Sequence, residues 1–185
     1  SAYYIANKMK SDLSGTGINI TATNKALIGP LKENSSGTFS FKLKSKNSED
    51  VIISSVVDYK NLSNLARLIN QFTPQTGVTA VSSSDFKRII LDAEQGHDIE
   101  LTEIVAPSDF NVVGLNEKYE QITETHTIDI SDSNEKSAFI KGHVKFQSTS
   151  SFTTQIGSGL INSSSQDQSV NGFYDVSYGS GGETI

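Results

Sequence analysis

The chain of 185 residues contains no cysteine and no tryptophan. Without thiols there is no disulfide framework, no thiolate zinc site and no cysteine nucleophile. Positive charge is also in short supply: 15 Lys and Arg stand against 21 Asp and Glu, a formal net charge of −6. Such a chain lacks the basic face that a nucleic acid or an anionic membrane requires, so neither is expected as a partner. No apolar run approaches the ~18 residues of a membrane-crossing helix. The opening Ser1-Ala2-Tyr3-Tyr4-Ile5 shows no basic segment leading into an apolar core, so no cleaved leader is visible. Hydrophobic residues make up 35% and charged residues 19% of the chain. Both are low for a globular enzyme, and Ser, Thr, Asn, Gln and Gly fill the difference. That composition suits thin β modules with much exposed surface, while the alternating apolar runs described next argue against disorder.

One helix is predicted over roughly 60–73. Leu62, Leu65, Ala66, Ile69 and Phe72 fall at i, i+3, i+4, i+7 and i+10, one face at a 3.6-residue period. Asp58 or Asn61 is placed to cap its start, and Pro74 and Gly77 to stop it. Strands surround it. Phe39, Phe41 and Leu43 alternate with Ser40, Lys42 and Lys44, so the lysines read as a solvent face continued by Lys46. Val51–Val57 is β-branched and apolar. Val78–Val81 and Arg88–Leu91 pair across a Ser-rich turn, and Gln95–Asp98 turns the chain into a strand over 99–104. The helix is expected to lie on a sheet made by Phe39, Phe41, Ile53 and Ile90. Beyond Pro107 a strand region is expected over 119–130, further strands over 138–146, and then a Ser-, Gln-, Asn- and Gly-dominated stretch anchored by Phe173, Tyr174, Val176 and Tyr178. The expected fold class is α+β: mostly antiparallel β with one or two short helices packed on a sheet in a ββαβββ unit, followed by an all-β module. The expected division is 1–106 and 107–185. Both ends read as cuts in a longer protein, the last a flexible Gly179-Ser180-Gly181-Gly182.

A degenerate internal repeat is also present. Ile5-Ala6-Asn7-Lys8-Met9 followed by Thr16-Gly17-Ile18-Asn19-Ile20 echoes Leu68-Ile69-Asn70-Gln71-Phe72 followed by Thr76-Gly77-Val78-Thr79-Ala80. In each, a helix carrying an Asn leads through Thr-Gly into a strand. Two tandem units follow, the first truncated and the second at about 38–104.

The second copy, with Leu65, Ala66, Ile69, Asn70, Thr76, Gly77, Val78 and Ala80 and then Ile89-Ile90-Leu91, resembles the hook "IN" motif of bacterial flagellins. In that family a helix ending in Ile-Asn leads through a short spacer to Thr-Gly-Val-x-Ala and a strand pair. The stretch Ser137–Ser148 with Phe152 is similar to another segment of flagellin outer domains. The resemblance implies a non-enzymatic, surface-exposed variable domain of a filament subunit, extracellular and exported without a cleaved signal peptide. Its partners would be other flagellin subunits, and the fragment alone would be monomeric, because the terminal helical regions that polymerise flagellins are not in it. It also implies that O-linked sugar is more plausible than N-linked, with Ser150, Ser151, Ser163, Ser164 and Ser165 as candidates. On the physical reading, Asn70 bonds backbone near the helix end and Gly77 takes a positive φ that reverses the chain.

No catalytic, cofactor or metal site is expected. His97, His126 and His143 lie outside any metal-ligand spacing. His97-Asp98 reads as a solvated turn pair. Asp129, Asp132 and Glu135 form a sparse calcium-like set lacking the glycine and closing Glu of a binding loop. Gly157-Ser158-Gly159 lacks the helix of a nucleophile elbow, and the terminal glycines lack the Lys-Ser/Thr of a phosphate loop. The sequons at Asn19, Asn34, Asn61 and Asn162 are explained by chance in a Ser-rich chain. The competing reading is a glycan- or surface-binding module of adhesin or phage-tail type, which requires clustered exposed aromatics, and Tyr174 and Tyr178 with Phe173 are the only candidates for them. The helix face makes a prediction of its own. Ile69→Asp places an unpaired charge against the sheet and should cost several kcal/mol, enough to unfold the first module. An unchanged thermal melt would mean that the helix buries a different face.

Overall fold

The computed structural model describes residues 1–132 and 136–148, and the backbone of the later strand 174–178. In chain order the elements are α1 (Ala2–Asp12), β1 (Asn19–Leu31), β2 (Ser36–Lys44), β3 (Val51–Asp58), α2 (Ser63–Gln71), the single-turn α3 (Thr73–Thr76), β4 (Val78–Ser82) and β5 (Ile89–Ala93). A 3-10 turn (Glu94–Gly96) leads to β6 (Ile99–Val105), β7 (Phe110–Leu115), β8 (His126–Ile128), β9 (Ala138–Ile140), β10 (His143–Ser148) and β11 (Tyr174–Tyr178). The fold is α+β, dominated by antiparallel sheet with a few short helices. From β2 to β6 the order is strand, strand, helix with its extra turn, strand, strand, strand.

Two sheets form. The larger runs β11-β10-β1-β5-β4, with β7 on β1 and β8 on β7. The smaller runs β3-β2-β6-β9. The 13-residue β1 is the spine of the larger sheet. Its first half pairs with β10, from Asn19 opposite Gln147 to Thr23 opposite His143. Its second half pairs with both β5 and β7. Strands on either side of residue 106 therefore share both sheets: β7 and β10 join β1, and β9 joins β6.

One apolar cluster collects Phe39, Phe41 and Leu43 of β2, Ile53 of β3, Leu65 and Ile69 of α2, and Ile89 and Leu91 of β5. Phe39 meets Phe41 edge-on and Phe110 at 4.9 Å between ring centroids. A smaller cluster lies under α1, where Ala2 and Ala6 cover Ile20, Val144 and Phe146. Alternation along β2, β4 and β5 decides which side chains reach the core, because successive residues of a strand point to opposite faces.

Four expectations need correction. Ile90 is not in the core: Ile89 and Leu91 point inward and Ile90 stays half-buried on the other face. The helix does not lie on one sheet, since the strand residues expected beneath it belong to two, and α2 contacts both β3 and β4. Pro74 does not end the helical stretch; it sits within the first two positions of α3, where a missing N–H costs nothing, and Gly77 closes that turn at φ 71°. The strand expected over 119–130 shrinks to β8, because Asn116 accepts the N–H groups of Lys118 and Glu120 and Tyr119 adopts φ 64°. A side chain that captures nearby backbone donors favours a turn over a ladder.

Gly96 leads the 3-10 turn past β1 at close range. Its φ is 77°, and a Cβ built there would lie 2.6 Å from the Ala22 Cβ and 2.8 Å from the Thr23 nitrogen. Gly96→Ala should therefore lower stability by more than the ~1–2 kcal/mol of a left-handed backbone alone. Chemical denaturation checks this, and a wild-type midpoint would show that β1 and the turn can separate freely.

Candidate functional site

β4 ends the larger sheet, and an edge strand presents a row of unpaired backbone groups to any other strand that approaches. Here side chains of α2 and α3 occupy the first part of that row. The Asn70 amide nitrogen donates to the Ala80 carbonyl at 2.8 Å, and the Ala80 N–H donates to the Asn70 Oδ1 at 2.7 Å. A primary amide carries one acceptor and donors in the same plane, so it substitutes for a peptide group of a neighbouring strand. Two residues earlier, the Thr73 hydroxyl donates to the Val78 carbonyl at 2.7 Å, and the Val78 N–H donates to the Thr76 hydroxyl oxygen at 3.1 Å. The Thr76 hydroxyl in turn donates to the Phe72 carbonyl at 3.0 Å. Of the three outward-bonded residues of β4, the first two, Val78 and Ala80, are thus satisfied without a further strand.

The helix is placed to deliver these groups. Leu65, Ala66 and Ile69 are buried and fix its rotation, which leaves Asn70 on the flank facing β4. Asn61 accepts the Ser63 N–H at 2.9 Å just before the helix starts. At the other end Gly77 turns the chain into β4, and its carbonyl accepts the Glu94 N–H at 2.8 Å. Thr76 is fully buried, and its carbonyl accepts the Lys46 N–H at 3.2 Å. The eight residues Leu65, Ala66, Ile69, Asn70, Thr76, Gly77, Val78 and Ala80 therefore form one contiguous joint between helix and strand. The target of Asn70 is the one feature that spacing did not reveal: it reaches across ten residues to the strand, not to its own helix end.

The N-terminal echo reproduces part of this joint. The Thr16 hydroxyl donates to the Leu13 carbonyl at 2.7 Å, the Ile18 N–H donates to the Thr16 hydroxyl oxygen at 3.4 Å, and Gly17 adopts φ 77°. Asn7, the counterpart of Asn70, is exposed, and no bond joins its side chain to β1. The Thr-Gly turn is shared between the two segments and the edge lock is not.

The ionisable groups belong mostly to surface pairs. Lys42 pairs with Glu103, which a bulge in β6 presents at φ 50°, and the pairing holds the Lys42 ammonium above its usual range. Lys46 bonds Glu94 at 2.8 Å and holds that carboxyl low. His97 is not a solvated turn residue. It is half-buried and stacked on Tyr3 at 4.1 Å, and burial pushes its imidazole below the ordinary value although Glu94 pulls the other way. His126 and His143 sit on β8 and β10. Among the described residues no three His, Asp or Glu side chains converge as a metal set. Asp129 folds back on Ser131 instead. Glu135, Ser150, Ser151, Ser163, Ser164 and Ser165, both Gly/Ser stretches, Phe173 and the side chains of Tyr174 and Tyr178 lie outside the described residues.

In comparisons with known proteins, no family model and no curated protein matches the chain.

The joint is directly testable. Asn70→Ala removes a paired donor and acceptor beside buried Ala80 and should cost about 1–3 kcal/mol. The triple variant Asn70→Ala, Thr73→Val, Thr76→Val should open the β4 edge and drive concentration-dependent association in sedimentation velocity. A triple variant that stays folded and monomeric at every concentration would show that these side chains do not guard the edge.

Proposed function

We propose that this chain is a surface module of a bacterial flagellar filament subunit, a structural domain that sets the outer properties of the filament. The observation that carries the reading is the joint at Ile69-Asn70 and Thr76-Gly77, where residues resembling the flagellin hook motif hold a helix against an edge strand. Copies of a filament module stand at very high local concentration, and an open strand edge there would invite pairing between neighbours. Side chains that occupy the edge suit a module that must stay separate from its copies. The acidic balance of the chain supports the same reading, because like-charged surfaces repel. On this reading the subunit is extracellular, assembly is carried by regions outside the chain, and the module contributes exposed polar area to motility and surface recognition. It is not an enzyme on this reading.

A second reading, a module that grips glycans, is favoured by one observation: a cavity whose lining includes the exposed aromatic rings of Tyr4 and Phe139.

The test of the first reading is deletion of residues 1–185 from the parent protein, followed by electron microscopy of the cells. Thinner filaments that still assemble are expected. Loss of filaments, with the shortened subunit stable and exported, would assign assembly to this module and overturn the division of labour.

A further inference from the structure

A cavity of about 310 Å³ opens where the end of β2, the start of β6, β9 and the first turn of α1 meet. Its volume is at the lower end of the range for small-molecule sites. Two of its walls are tied together from below. Asn24, fully buried in β1, donates from its amide nitrogen to the carbonyls of His97 and Ile140, each at 2.8 Å, and both residues line the cavity. This tie makes the cavity a fixed feature of the sheet junction and not a gap between loose loops.

Its lining combines three kinds of group. Tyr4 and Phe139 both line the cavity and are 69% and 64% exposed. Lys44, Lys46, Lys141 and the Ser1 amino group contribute positive charge, and Asp98 and Glu100 contribute carboxylates, with Asp98 lying 3.8 Å from the Ser1 amino group and accepting the Gly142 N–H at 3.4 Å. Ser45 contributes a hydroxyl whose oxygen is buried yet has no hydrogen-bond partner. A buried polar atom without a partner costs free energy, which a ligand hydroxyl placed beside it would recover.

We infer that this cavity binds a neutral saccharide, one or two sugar rings long, with Phe139 and Tyr4 as stacking platforms and Ser45, Lys44, Asp98 and Glu100 as partners for the sugar hydroxyls. The charge pattern decides the class. An anionic ligand would meet the carboxylates of Asp98 and Glu100, and a cationic one would meet Lys44, Lys46, Lys141 and the Ser1 amino group on the same walls. A neutral polyol uses both, since each hydroxyl donates to a carboxylate and accepts from an ammonium. The apolar C–H face of a pyranose matches an exposed ring, and its hydroxyl edge matches the polar floor. The inference deepens the glycan-gripping reading and stands apart from the filament reading, because a filament module can carry such a site on its surface.

The test is saturation-transfer NMR and isothermal titration of the whole chain with cellobiose, lactose and N,N′-diacetylchitobiose, with glucuronate as the charged control. At least one neutral disaccharide should bind saturably with a Kd on the order of 1 mM. Phe139→Ala and Ser45→Ala should each weaken that binding about tenfold, the loss expected for a central contact. Neither should lower the thermal melt, since Phe139 is exposed and the Ser45 hydroxyl has no partner to lose. The inference is overturned if none of the three disaccharides binds, if binding survives Phe139→Ala undiminished, or if glucuronate binds as tightly as the neutral sugars. Filament assembly by the deleted parent is read in a separate experiment, so either reading can fail alone.

Discussion

Strand β1 changes partners at Asn24, and the rest of the architecture is arranged around that change. Up to Thr23 it pairs with β10; from Asn24 onward it pairs with β5 and, one residue later, with β7. A strand that passes from one set of neighbours to another leaves a junction where ladders end and backbone carbonyls lose their partners. Asn24 stands at that junction, and its amide nitrogen takes the two carbonyls that arrive there, from His97 and Ile140. Nearby, Gly96 and Gly142 let the 3-10 turn and the β9–β10 connection come against β1, each with a would-be Cβ 2.6 Å from a neighbouring atom. The β10 ladder, the β9 edge of the smaller sheet and the cavity that β9 helps to line are all arranged around this one buried polar side chain and two residues without side chains.

The edge at β4 presents the complementary problem, and the chain solves it with the same chemistry. Asn24 satisfies carbonyls inside the sheet; Asn70 satisfies a donor and an acceptor at its rim. At the rim the amide substitutes for a whole peptide group, donor and acceptor; at Asn24 only the nitrogen is used, and the buried Oδ1 has no partner. The lock works because Leu65 and Ile69 are fully buried, so the helix cannot rotate and Asn70 cannot leave the edge. At α1 the cover is thinner. Its buried contacts to the sheet are two alanines, Ala2 and Ala6, and its Asn stays exposed, so the Thr16-Gly17 turn carries the entry into β1 without a lock.

The outer face of the smaller sheet shows how little apolar surface a chain of this composition needs to hide. Ile52 and Val56 on β3, Val105 on β6 and Phe139 on β9 are all exposed, but polar positions such as Ser40, Ser54 and Lys42 lie between them in the register. Scattered in this way they form no broad apolar patch. Surface pairs such as Lys42 with Glu103 and Lys46 with Glu94 sit in water and contribute little each. Stability therefore rests on the aromatic and aliphatic cluster between the sheets.

What the sequence by itself determined is local. The spacing of Leu62, Leu65, Ala66 and Ile69 specifies a helix face because residues three and four apart share one side of a helix whatever surrounds it. The alternation of Phe39, Phe41 and Leu43 specifies an inward face of β2 for the same reason. The echo of Thr16-Gly17 and Thr76-Gly77 was legible because a hydroxyl that bonds backbone a few residues away needs no distant partner. Tertiary structure decided the rest. Periodicity says which face is buried and is silent about which strand lies beside it, so the pairing of Thr23 with His143 left no trace in either segment. Where apolar residues run unbroken, as in Ile89-Ile90-Leu91, even the phase is lost, and only the register against β1 and β4 turns Ile90 outward. The target of Asn70, the burial of Asn24 and the rings of Tyr4 and Phe139 at one cavity belong to the same class, because each depends on segments far apart in the chain meeting in space.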